Sequence, residues 1–270
     1  MSNLAQRLMV AAAGIPVLLF ATVRGGPVLI VVAIAIQAVC LWEWRSLSAG
    51  IGAHVNVVGI VLVMLSLDYF VMAHGSGISI SISLTAICLT FLMEVFRGDH
   101  QPVKNLGAMA LFAGYVVLPI AIWTILKDLP FAFRWQPAGP LAVLFVATWV
   151  VDTAAYFGGR QFGRHKLHVA ASPNKTVEGF VAGAVIACSI LPLAKILKLA
   201  SPAMADYVAL PLIVGIAGQL GDLLESLMKR EIQIKDTSAI LPGHGGFLDR
   251  FDSLFISSLL LFAYLNLSPA

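Results

Sequence analysis

The sequence predicts an all-α polytopic integral membrane protein with about nine transmembrane helices and a cytoplasmic N-terminus. Three observations carry that prediction. Of the 270 residues, 59% are hydrophobic and 11% charged, with a mean hydropathy of +0.92, whereas soluble domains hold about 45 to 50% apolar residues. Apolar runs close to the roughly 20 residues needed to cross ~30 Å of hydrocarbon recur along the whole chain. The basic residues between those runs alternate in density from one side to the other.

Taken in order, the first run (about 8 to 23) is followed at once by a second (27 to 43) and has no cleavage-site pattern. It therefore reads as a retained span and not as a signal peptide. Runs at about 55 to 73, 77 to 95 and 105 to 126 complete an N-terminal transmembrane scaffold over residues 1–147. Runs at about 139 to 158, 176 to 197, 207 to 227 and 251 to 268 form a C-terminal functional half over residues 148–270. No internal repeat, low-complexity tract or long linker separates the halves, so they are expected to form one integrated membrane domain. Cys40, Cys88 and Cys188 lie inside apolar runs without metal-ligand spacing and read as packing residues.

With the N-terminus inside, twelve of the 17 basic residues fall on the cytoplasmic side: Arg7, Arg45, Arg97, Lys104, Arg160, Arg164, Lys166, Lys175, Lys229, Arg230, Lys235 and Arg250. Five fall opposite: Arg24, Lys127, Arg134, Lys195 and Lys198. That bias sets the expected topology. The net charge of +3, without aromatic-basic interleaving, argues against nucleic acid as a partner.

Acidic residues are distributed unevenly. Glu43, Asp68, Glu94, Asp99 and Asp128 are the five before residue 148, and the shorter remainder holds nine. Three polar segments stand out there. In "DTAAYFGGRQFGRHK", Asp152 places a carboxylate within the sixth span, at a cost of ~2.5 to 3.5 kcal/mol unless it faces a cavity or a partner helix. Either a watery site or a structural hydrogen bond to a neighbouring helix explains it. In "SPNKTVEGF", Ser172 and Pro173 predict a helix start, which puts Lys175 in the first turn. A bound anion would relieve the conflict between that cation and the helix dipole; a snorkelling lysine fits the same residues. Gly179 and Gly183 form a GxxxG step suited to helix packing.

The third segment runs from Gly221 to Ser253. Asp222, Glu225, Ser226 and Lys229 recur at i, i+3, i+4 and i+7 and so share one helix face. Pro242, Gly243, Gly245 and Gly246 then forbid regular helix and offer backbone N–H groups to phosphate oxygens, with His244 between them. Asp249 and Asp252, three apart at the start of the last span, suit Mg²⁺, which takes one or two carboxylates and completes its shell with water and substrate phosphate. Ion pairing with Lys229, Arg230, Lys235 or Arg250 is the alternative reading of these carboxylates. Two carboxylate pairs flanking a glycine-rich, basic loop favour a phosphate-and-metal site.

The pattern Ser226, Lys229-Arg230, Lys235-Asp236, Ser238, Leu241-Pro242-Gly243-His244-Gly245-Gly246-Phe247-Leu248-Asp249-Arg250-Phe251-Asp252 resembles the signature of the phosphatidate cytidylyltransferases. Asp152 to Gly163 is similar to that family's D-T-G-A-Y-F run, with Ala154 for glycine. Ser172 to Gly179 is similar to its S-P-K-K-T-W-E-G run, with Asn174 and Val177 substituted and Lys175 and Glu178 in register. The first half matches in hydropathy only, with Glu43 as a weak extra point.

The resemblance implies transfer of CMP from CTP to phosphatidate, giving CDP-diacylglycerol and pyrophosphate, with Mg²⁺ and a possible place for a second cation. It implies metal binding at Asp222 and Asp249, with Asp252, Asp236 and Asp152 as further candidates. Lys175, Lys229, Arg230, Lys235, His244 and Arg250 would contact the triphosphate or lipid phosphate, and Ser172, Gly243, Gly245 and Gly246 would line the substrate site. A phosphate monoester, with its second pKa of about 6, needs no general base, so His244 is expected to act as a donor. A homodimer in the inner (plasma) membrane, with its site facing the cytoplasm, is also implied. Rival readings are a secondary transporter using Asp68, Asp152 and Asp222, for which matching broken halves are missing, and another CTP-using lipid enzyme such as a polyprenol or phytol kinase. A CDP-alcohol phosphotransferase is disfavoured by the absence of a D-G-x-x-A-R pattern.

Overall fold

A computed structural model describes residues 3–98, 101–126, 134–136, 138–167, 169 and 171–268. Asp99, Lys127, Asp128 and the side chain of Arg7, all counted above, lie outside the described residues. Among the described residues every regular element is helical, with two isolated β-bridges, Lys166 to Thr176 and Leu241 to Gly245.

The N-terminal half comprises α1 (Asn3–Arg24), α2 (Gly26–Gly50), α3 (Val57–Met72), α4 (Gly77–Arg97), α5 (Pro102–Phe112) and α6 (Leu118–Leu126). Local chemistry sets their limits. Proline in the first turn of α2 and α5 costs no helical hydrogen bond there. Asn56 caps α3 by accepting from Gly59 N at 3.1 Å, and Gly98 closes α4 in the left-handed conformation. The π-helical turn Ala113–Val117 joins α5 and α6 into one rod. A π-turn rotates the helix faces and loosens the carbonyl ladder; Gln37 Nε2 donates to Val117 O at 3.2 Å.

The C-terminal half holds α7 (Pro140–Phe162), α8 (Val177–Ile196), α9 (Asp206–Leu210), α10 (Gln219–Glu231) and α11 (Leu248–Leu267), with a π-helical stretch, Pro211–Gly218, linking α9 to α10. Six helical rods are long and apolar enough to cross a membrane: α2, α4, Pro102–Leu126, α7, α8 and Asp206–Glu231. This is the architecture of a polytopic membrane protein. The other expected spans correspond to α1 and α3, apolar but shorter over Met9–Arg24 and Val57–Met72, and to α11, which carries Asp249, Arg250 and Asp252 at its start.

One expected boundary is corrected. Ser172 and Pro173 do not start the helix; α8 begins at Val177, where Thr176 accepts from Gly179 N at 3.2 Å. The stretch before it instead pairs with the chain leaving α7, through Leu167 N to Lys175 O at 3.0 Å and Val177 N to His165 O at 2.9 Å. A backbone-paired loop outcompetes the Ser172 cap. Lys175 therefore precedes the first turn, and the supposed clash with the helix dipole does not arise.

Small residues bring α7 and α8 close together. A Cβ on Gly179 would lie 2.7 Å from Ala155 O, and one on Gly183 would lie 2.9 Å from Gln219 Nε2, so the GxxxG step packs helices as expected. The two halves share one core: Trp123 of α6 meets Phe145 of α7 at 5.0 Å and Phe251 of α11 at 5.6 Å, and its Nε1 donates to Ser258 Oγ at 2.7 Å. At the opposite end of α11, Arg134 and the fully buried Asp206 form a two-pronged ion pair at 2.9 and 3.1 Å, and Tyr264 OH donates to Asp206 at 2.7 Å.

Candidate active site

The end of α7, the loop leading into α8, α10 and the start of α11 enclose a cavity of about 550 Å³. Its walls include Asp152 and Arg160 from α7, Ser172, Asn174 and Lys175 from the loop, Asp222 and Lys229 from α10, Asp236, and Asp249, Arg250 and Asp252 from α11. Helix periodicity explains the α7 contribution, since Asp152, Ala155, Tyr156 and Gly159 fall at i, i+3, i+4 and i+7. The face shared by Asp222, Glu225, Ser226 and Lys229 is present as read from the spacing. Ser226 Oγ lies 3.4 Å from Asp222 Oδ1, and Lys229 Nζ lies 3.1 Å from Glu225 Oε2.

Two cations from different segments meet two carboxylates. Lys175 Nζ is 2.6 Å from Asp222 Oδ2, and Lys229 Nζ is 2.5 Å from Asp249 Oδ1. The first pair is partly open to solvent; the second is buried. Asp249 Oδ2 also accepts from Gly246 N at 2.8 Å, Thr237 N at 2.9 Å and Thr237 Oγ1 at 3.1 Å. Asp249 is thus tied to both sides of the Thr237–Gly246 loop.

The glycine-rich loop follows a tight path. Gly243 and Gly245 take φ of 75° and 80°, values that favour glycine, and Leu241 N donates to Gly245 O at 3.0 Å. A Cβ on Gly246 would collide with Thr237 Oγ1 and with the carboxylate of Glu43. The Gly246 N–H is spent on Asp249. The loop's tight path braces the site.

Two basic candidates also lie off the wall. Arg230 Nε donates to Ala171 O at 3.2 Å and Arg230 Nη1 to Ile234 O at 2.9 Å, stitching the two loops together, and Lys235 is exposed beside Asp236. Arg250 and Asp236 are exposed residues of the cavity wall.

Two further residues emerge from the structure. Glu43 of α2 is fully buried and accepts from Ser238 Oγ at 2.6 Å, Thr237 Oγ1 at 3.1 Å, and Phe247 N and Leu248 N at 2.8 Å each. Its sequence signal was a carboxylate inside an apolar run, which names no partner. Glu225 is buried against the Asp252 carboxyl. Spacing placed Glu225 on the correct face but gave it no role.

Among the described residues, no three acidic, histidine or cysteine side chains converge as a ready-made metal cage. Mg²⁺ does not require one, because it commonly takes one or two carboxylates and fills its octahedron with water and phosphate oxygens. Asp222 and Asp252 on the wall, with the Glu225 carboxyl against Asp252, form a hard-oxygen set that fits such an ion.

The family model described as the cytidylyltransferase family matches residues 5–268. A phosphatidate cytidylyltransferase of Bacillus subtilis is 50% identical over 121 residues, which cover 43% of this chain and 44% of that protein. Proteins of the same name from Staphylococcus saprophyticus and Staphylococcus aureus are 49% and 46% identical over 119 residues, 43% of this chain and 45% of theirs. The aligned stretch thus spans less than half the length of these curated relatives.

Proposed function

We propose, from the premise that the chain belongs to the cytidylyltransferase family, that it is a phosphatidate cytidylyltransferase of phospholipid biosynthesis. It converts CTP and phosphatidate to CDP-diacylglycerol and pyrophosphate. The observation that carries this reading is the convergence of Lys175, Asp222, Lys229, Arg250 and Asp252 on one cavity at the ends of membrane helices. A volume of about 550 Å³ suits a nucleotide-sized ligand.

In this reading a phosphate oxygen of phosphatidate attacks the α-phosphorus of CTP, and the bond from that phosphorus to the pyrophosphate oxygen breaks. Both reactants are anions, so the site must offset charge and align them. Lys175 and Arg250 bind phosphate oxygens, with Lys175 exchanging its contact with Asp222 for one with substrate. Lys229, held by Glu225 and Asp249, offers an ammonium on the cavity wall that would contact phosphate while offsetting those carboxylates. Arg230 acts by holding the loops, and Lys235 and His244 are further candidates for contact with phosphate.

Mg²⁺ bound by Asp222 and Asp252, with Asp249, Asp236 and Asp152 nearby on the wall, would supply charge neutralisation at the attacking and leaving oxygens. The basic residues at this end of the bundle support a cytoplasmic orientation. A site at the cytoplasmic side of the plasma membrane would meet CTP from water and the lipid from the bilayer. We further propose a homodimer.

Purified chain in detergent with labelled CTP, Mg²⁺ and phosphatidate tests the proposal. Lipid-linked CMP and pyrophosphate are expected. Release of CDP with a phosphorylated lipid would instead identify a CTP-dependent kinase, and no liponucleotide would refute the assignment.

A further inference from the structure

Helix α11 starts without a cap of its own: Phe247 occupies the cap position and offers no side-chain hydrogen bond. The amides of Phe247 and Leu248 instead donate to Glu43, about 200 residues away in sequence, at 2.8 Å each. The same carboxylate takes the hydroxyls of Thr237 and Ser238. An anion at a helix N-terminus satisfies the orphan amides and opposes the positive end of the helix dipole. Glu43 therefore caps α11 from another helix while gripping the far end of the loop that leads into it.

The connection continues into the cavity. Thr237 Oγ1 lies 3.1 Å from both Glu43 Oε2 and Asp249 Oδ2, so one hydroxyl links the two carboxylates. Asp249 then fixes Lys229 at 2.5 Å. Glu43 does not line the cavity, so any effect on substrate passes through Thr237 or the first turn of α11 to Asp249 and Lys229. Glycine at position 246 is required by this contact, since any Cβ there meets both Thr237 and Glu43.

We infer that Glu43 is a positioning residue. It sets the register between the Thr237–Gly246 loop and the first turn of α11, and thereby the place of Asp249 and Lys229 in the site. The catalytic consequence rests on the cytidylyltransferase reading above; the structural one does not.

Two measurements on the full-length chain in detergent separate them. Amide hydrogen exchange without substrate should show Glu43→Gln losing protection at residues 237–248 by at least tenfold, while α7 and α8 stay unchanged. In the cytidylyl-transfer assay, Glu43→Gln should lower kcat about 10- to 100-fold at saturating CTP and Mg²⁺, the range typical for groups that orient a site's direct ligands. KM for phosphatidate should stay within about twofold. Adding Thr237→Val to Glu43→Gln should cost less than the sum of the two single losses, because the two side chains share one hydrogen bond.

If Glu43→Gln does not fold, Ser238→Ala and Thr237→Val, which each remove one donor, should show smaller losses of the same kind. Unchanged exchange at 237–248 would overturn the inference whatever the activity. A kcat within twofold of wild type, or a loss that merely tracks the folded fraction, would overturn the catalytic role. An inactive wild type with the expected exchange pattern would refute the proposed reaction and the catalytic role, and leave the cap established.

Discussion

Lys229 Nζ sits between two carboxylates, 2.5 Å from Asp249 on α11 and 3.1 Å from Glu225 one turn before it on α10. All three side chains are buried, so neither helix can shift without uncovering charge. Removing one partner from a buried pair costs about 3 to 5 kcal/mol, because the other is left desolvated and unmatched. Lys229→Met is accordingly expected to leave two buried carboxylates facing each other, with a lower Tm and lost activity. Thermal unfolding in detergent alongside turnover checks both.

Asp249→Asn tests the loop as well as the pair. The amide oxygen can keep either the three loop donors that share Oδ2 or the Lys229 contact at Oδ1, and its NH2 group then faces the other set as an unmatched donor. We expect a loss of about 2 to 4 kcal/mol, between that of a single unsatisfied hydrogen bond and that of a broken buried pair. Activity should fall below detection even in the folded fraction, as judged by turnover per folded molecule.

Lys175 and Asp222 make the opposite case. Their side chains are 31% and 32% exposed, and ion pairs near the surface contribute about 0 to 1 kcal/mol. Lys175→Ala should therefore leave Tm almost unchanged while lowering kcat/KM about 10²- to 10³-fold, the effect expected for a fixed charge on a developing anion. Calorimetry paired with steady-state kinetics separates these outcomes.

Gly246→Ala should be severe, because the new methyl meets Thr237 and Glu43; overpacking costs about 1 to 3 kcal/mol, occasionally more. Gly107→Ala, where a methyl meets nothing within 4 Å, should be neutral or stabilising by about 0.4 to 1 kcal/mol. Their Tm values, compared side by side, test whether close approach, and not glycine content, shapes the loop.

Asp206→Asn probes the far end of the bundle. It removes a buried anion that Arg134 and Tyr264 both contact, and should lower stability by about 3 to 5 kcal/mol. Turnover per folded molecule should stay near wild type.

The positions of most helices were legible because membrane crossing demands long apolar runs; the caps that end them, such as Asn56 and Gly98, came from the structure. The α10 face was legible too, since i, i+3, i+4 and i+7 spacing fixes which side chains stack. The start of α8 was not: Ser172-Pro173 is a sound local cap, and the backbone pairing of Leu167 with Lys175 that displaces it is a tertiary contact. The roles of the glycines and Glu43 were hidden for the same reason. Spacing shows that Gly246 lacks a side chain; only packing shows that the missing volume belongs to Thr237 and Glu43.

The central claim is that Asp222 and its neighbours bind Mg²⁺ and phosphate to transfer CMP onto a lipid phosphate. The most direct test is liponucleotide formation from labelled CTP and phosphatidate by purified wild type and Asp222→Asn, each with Mg²⁺ and with EDTA. Wild type should form lipid-linked CMP with Mg²⁺ only, and Asp222→Asn, folded to the same extent, should form none in either condition. Equal product from Asp222→Asn, or product from wild type in EDTA, would contradict the account.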